Sequence, residues 1–118
     1  MNRFLFLFLF ILSITTVSPA EDSKPPSVKE FLDDEDGHYD GYVYGLESGL
    51  EWASEYYYRK HNIELFCKPS DIELPASRLR EMIIKSINTK LGFFKKYEHE
   101  PLIGLALRNS YMEEFPCE

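Results

Sequence analysis

Residues 75–92, PASRLREMIIKSINTKLG, decide the fold class. Leu79, Met82, Ile83, Ile87 and Leu91 recur at helical spacing and give one clean apolar stripe. Pro75 suits the first turn of that helix, where its missing N–H costs nothing, and Gly92 marks the end. On the C-terminal side, Phe93-Phe94-Lys95-Lys96-Tyr97 reads as a linker. Pro101 then opens a last helix, 102–115, whose first turns are apolar apart from Gly104 and make it the central one. On the N-terminal side, 40–60 holds the longest helical pattern, with Tyr42, Leu46, Gly49, Ala53 and Tyr56 three or four apart and Gly45, Leu50 and Tyr57 widening the stripe. His61-Asn62 can end it, because a cation suits the last turn and Asn tolerates the left-handed cap. Ahead of it, Ser27 stands three residues before Glu30, a capping-box spacing that opens a short helix through Val28, Phe31 and Leu32. Residues 33–40 are acidic with a single glycine and read as a loop. Ile63-Glu64-Leu65 alternates for only three residues, and nothing longer follows a period of two. The expected fold is all-α, a small bundle of about four helices in one domain, 27–118.

Gly41, Gly45 and Gly49 lie four residues apart on one helix face. Glycine lowers helix propensity, so its repetition implies that another backbone packs closely along that face. Two readings stay open: close packing inside the domain, or a seam between two chains. Glu47, Glu51 and Glu55 on the same segment argue against a lipid setting.

The chain has two cysteines, so an internal disulfide must join Cys67 to Cys117. Such a bond implies an oxidising compartment. The N-terminus agrees. Arg3 precedes nine consecutive apolar residues, 4–12, and Ser18-Pro19-Ala20 puts small residues before a cut after Ala20. That is the pattern of a secretory signal peptide, 1–20, and the apolar run is short of the roughly 18–20 residues that a spanning helix needs. Residues 21–26, with Lys24-Pro25-Pro26 among polar neighbours, read as a disordered leader. Cleavage takes the chain from 118 to 98 residues and, by removing one base and no acid, the net charge from −7 to −8. A surface of that sign repels nucleic acid and anionic lipid and speeds encounter with a basic partner. For a domain this small a covalent staple matters, and the chain-entropy estimate for a loop of about 50 residues is about 4 kcal/mol.

Catalytic arrangements are hard to assemble. His38, His61 and His99 are scattered, with no i, i+4 pair for a helical zinc site. Oxidised cysteines are neither nucleophiles nor metal ligands. His99 between Glu98 and Glu100 is a weak candidate base, and residues 33–36 lack the alternating ligands of a calcium loop. No enzyme activity, cofactor or metal is expected. Aromatic content points to binding instead. Tyr56-Tyr57-Tyr58 cannot all face one core, since consecutive helical residues are about 100° apart. Phe93, Phe94 and Tyr97 beside Lys95 and Lys96 combine aromatic anchors with charge, as interface hot spots do. The competing reading is that a phenylalanine closes the core beneath the turn.

The ordered set of Gly41-Tyr42-Val43-Tyr44-Gly45, Phe66-Cys67-Lys68-Pro69, the stripe at 79–87, and Ala106-Leu107 running into Phe115-Pro116-Cys117 resembles the Tai (Rap/Tai) family of immunity proteins. The resemblance spans about 27–118. It implies a periplasmic, all-α protein without chemistry of its own. Such proteins bind peptidoglycan amidase effectors delivered by type VI secretion, often as helical homodimers, and obstruct their active sites. Many members look to carry another cysteine pair, where this chain has residues such as Asp33 and Tyr39; without it, the N-terminal segment is expected to be loosely held. The inhibitory surface is expected at Phe93, Phe94 and Tyr97, with Glu98 and Glu100 matching a basic cleft. The main rival is a small helical acid-stress chaperone of the periplasm, which exposes apolar surface at low pH.

Overall fold

The computed structural model describes residues 24–118. Among them it is all helical: α1 (Val28–Asp33), α2 (Asp40–His61), α3 (Ala76–Thr89), α4 (Leu91–Lys96) and α5 (Ile103–Glu114). The signal-peptide expectation and the first part of the leader, 21–23, fall outside the described residues. The leader's last residue does not behave as expected, because Pro26 is fully buried.

α1 forms on the expected capping box. Ser27 Oγ accepts the Glu30 N–H at 3.1 Å, and Glu30 Oε1 accepts the Ser27 N–H at 3.4 Å. The next two amides, which no helical carbonyl can satisfy, find partners in the chain before α5: Val28 N–H donates to Glu100 O (3.1 Å) and Lys29 N–H to Glu98 O (2.8 Å). Val28 and Phe31 are buried, and Arg80 lies 4.7 Å over the Phe31 ring while donating to the Phe31 carbonyl at 3.1 Å. The N-terminal segment, expected to be loose, is therefore held by packing and backbone hydrogen bonds.

α3 and α5 form the antiparallel centre. Leu79, Met82, Ile83 and Ile87 meet Ile103, Ala106, Leu107 and Tyr111 in one core, with Val43 and Phe94 closing it. Leu91, the fifth residue of the expected stripe, is exposed. α3 stops at Thr89, because Lys90 leaves helical geometry at φ −123°, ψ 46°, and a separate helix, α4, follows. That break turns the Phe94 ring back into the core. Gly92 thus lies inside α4 and does not end α3.

α2 covers the α3–α5 pair with a face that overlaps the expected one only in part. Val43 and Ser54 are buried, and Tyr39, Tyr42, Leu46 and Leu50 pack on the core, whereas Gly49, Ala53 and Tyr56 face solvent. At 100° per residue the buried face is rotated by about 60° from the predicted stripe. Asn62 ends the helix as expected, in the left-handed region at φ 56°, with its N–H donating to Tyr58 O. The helical glycine that does meet a neighbour among the described residues is on α5: a Cβ at Gly104 would lie 3.4 Å from the side-chain atom Leu46 Cδ2. Cys67 and Cys117 are bonded, and Cys67 N–H donates to Phe115 O at 2.7 Å.

Candidate partner-binding surface

The turn 90–101 joins α3 to α5 at the end of the hairpin away from the disulfide. Its conformation is fixed from within by Phe94, which is 1% exposed, and from the side by the two α1 amides on Glu98 and Glu100. Phe94, named above as a partner contact, is instead a core residue: its ring makes an edge contact with Phe93 at 5.3 Å and has no free surface for a partner. Phe93 and Tyr97 remain outside, 43% and 39% exposed, and their rings meet at 5.0 Å, one helical turn apart. Lys96 Nζ stands 5.4 Å over the Tyr97 ring. Glu98 is partly exposed with His99 Nε2 3.6 Å from its Oε1, and Glu100 is exposed. Four of the five expected contact residues therefore share one exposed, braced turn.

No protein-family model, curated protein or solved structure matches the chain.

A second exposed surface lies on the glycine face of α2. Cβ atoms added at Gly41, Gly45 or Gly49 would meet nothing within 4 Å, so among the described residues these glycines pack against nothing. The intradomain reading of the glycine face is thus overturned. Trp52, the chain's single tryptophan, is 67% exposed, and Tyr56 beyond it is 62% exposed. At 100° per residue Gly41, Gly45, Gly49, Trp52 and Tyr56 fall within about 80° of one another, on the side away from the core. The usable signal was Trp52 itself, which continues the glycine stripe one turn onward. All three residues of Tyr56-Tyr57-Tyr58 are exposed.

Behind α2 a partly buried polar cluster ties the elements together. The Tyr111 hydroxyl donates to Glu47 Oε2, and burial together with that carboxylate pushes the Tyr111 hydroxyl far above the usual tyrosine range. Lys68 Nζ pairs with Glu51 Oε1 at 2.6 Å and crosses the Tyr111 ring at 5.9 Å. A cleft of about 530 Å³ opens beside this cluster, lined by Glu51, Glu55, Tyr58, Glu64, Phe66 and Cys67 among others. Among the described residues the histidines stay apart from one another, each beside carboxylates or a tyrosine ring: His38 by Asp34, His61 by Tyr57, His99 by Glu98.

Proposed function

We propose that this protein is a periplasmic immunity protein of the Tai type, which binds a peptidoglycan amidase effector and covers its active site. The observation that carries the reading is the exposed Phe93–Tyr97 ring pair on a turn held by both α1 and the core. An inhibitor needs a protruding apolar anchor whose shape is set before binding, because ordering a loose loop on contact subtracts from affinity. Glu98 and Glu100 add negative charge at the rim of the anchor, as suits a basic cleft. The glycine face of α2, with Trp52 and Tyr56, supports pairing of two such chains, since two helices can approach closely only where side chains are absent.

The test is calorimetry with the amidase encoded beside this protein, or captured with it from periplasmic extract. Loss of a central aromatic anchor costs about 2 kcal/mol or more, so Phe93→Ala with Tyr97→Ala is expected to weaken binding by about 30-fold or more. Lys95→Ala is expected to change affinity little. Unaltered affinity in the aromatic double variant would remove the turn from the inhibitory surface. Hydrolysis of peptidoglycan by the isolated protein would overturn the reading altogether.

A further inference from the structure

The disulfide has a third chemical neighbour. Glu64 Oε2 lies 3.1 Å from Cys67 Sγ, and one oxygen of Glu64 together with both sulfurs of Cys67 and Cys117 falls within a 4.8 Å span. While the sulfurs are bonded to each other they offer a metal nothing. The backbone, however, holds the two cysteines together by means other than that bond. Cys67 N–H donates to the Phe115 carbonyl, and the rings of Phe66 and Phe115 both rest on buried Tyr111, at 5.0 and 5.4 Å. Lys68, next in the chain, is fixed by Glu51 and the same ring. Breaking the S–S bond therefore leaves both thiols beside Glu64.

We propose that reduction of the Cys67–Cys117 disulfide creates a zinc site, with Cys67 Sγ, Cys117 Sγ and a Glu64 carboxylate oxygen as ligands and water in the fourth position. Two thiolates and one carboxylate in a small span are a donor set that Zn²⁺ accepts in tetrahedral geometry. The site is open to solvent: Cys67 and Glu64 line the cleft, and Glu64 brings a negative charge there while Glu51 and Glu55 are balanced by Lys68 and Arg59. The chemistry balances with a dithiol or phosphine reductant, which supplies two electrons and two protons to give two thiols and is itself oxidised. Zinc then displaces both thiol protons into solution. Because the metal binds only the reduced form, it draws the redox equilibrium toward that form and slows reoxidation. Either occupant, covalent bond or metal, keeps the base of the α3–α5 hairpin closed.

The test uses the mature chain, reduced with a phosphine that does not compete for metal, and titrated with Zn²⁺ against a chromophoric chelator. Co²⁺ serves as a spectroscopic substitute, because thiolate-to-cobalt charge-transfer absorption reports the sulfur ligands. One zinc per reduced chain, none per oxidised chain and release of about two protons are expected at neutral pH. Even partners outside the metal's own ligand set change affinity about 10–100-fold, so Glu64→Gln is expected to weaken binding at least about tenfold while keeping the stoichiometry. Cys117→Ser is expected to lower the charge-transfer intensity to half or less and to weaken binding. Circular dichroism follows the fold in every state. The proposal fails if the folded reduced chain takes up no stoichiometric zinc, or if one zinc bridges two chains. It fails equally if Glu64→Gln binds as tightly as the native sequence, which is also the outcome if reduction unfolds the chain and free thiols alone capture the metal.

Discussion

Replacing Tyr111 by Phe removes one oxygen from the centre of the protein and little else. The ring contacts of Tyr111 with Phe66 and Phe115, and the Lys68 ammonium over its face, do not involve the hydroxyl. What is lost is the donor to Glu47 Oε2. A hydrogen bond to a charged group contributes about 1.5–3 kcal/mol. Glu47 is only partly buried, so water replaces some of that loss and the lower end applies, about 1.5 kcal/mol. For a domain of this size each kcal/mol shifts Tm by about 4–8 °C, which gives a fall of about 6–12 °C for Tyr111→Phe at pH 7. The pH dependence is sharper evidence. In the unfolded chain Tyr111 loses its proton near pH 10, whereas in the native protein burial and Glu47 keep it protonated well beyond that. Above pH 10 the native state thus binds more protons than the unfolded one, and stability falls as pH rises. The stabilisation is fully present below pH 10 and declines above it, so native and Tyr111→Phe melting curves, followed by circular dichroism, should converge between pH 10 and about 11. A Tm unchanged by the substitution at pH 7, or a gap that stays constant across that pH interval, would refute the account of this cluster.

The buried and exposed members of Phe93-Phe94 should separate cleanly in urea unfolding: Phe94→Ala is expected to lose about 3–5 kcal/mol and Phe93→Ala no more than about 0.5. Equal losses would mean that the turn is oriented differently. Gly45→Ala and Gly49→Ala, in open space on a helix interior, should each stabilise the single chain by about 0.5–1 kcal/mol when measured at high dilution. Gly49→Leu should shift the sedimentation of concentrated protein toward one chain and alter Trp52 emission; a distribution identical to the native one argues against pairing through this face.

The parts of the fold that could be read from residues are those fixed by local chemistry. Ser27 and Glu30 cap α1 because the reciprocal hydrogen bonds span only four residues, and Asn62 ends α2 because few side chains accept a positive φ. The α3 stripe was readable through Ile87 because apolar residues occupy one side of that helix and charged ones the rest. α2 has no such contrast. The expected stripe and the observed face share Tyr42, Leu46 and Leu50, and whether Gly49, Ala53 and Tyr56 or Tyr39, Val43 and Ser54 complete it is decided by α3 and α5. α4 was missed for the opposite reason: six residues are too few for periodicity, and the burial of Phe94 depends on where the core lies once α3 has ended.

The same distinction explains why the exposed turn was only partly legible. Aromatic and charged residues in a short turn mark a surface, but the residues cannot say which ring points inward; the Lys90 break assigns Phe94 to the core and Phe93 with Tyr97 to solvent. The glycines suggested a close approach, and among the described residues nothing approaches them. Gly104, which does admit a neighbouring side chain closely, was unremarkable in the pattern, whereas Gly41, Gly45 and Gly49 open onto space. Among the described residues nothing offsets the propensity given up at these three positions. With Trp52 and Tyr56 exposed on the same side, the face is a patch open to a second molecule, and the pairing proposed above would supply the missing contact.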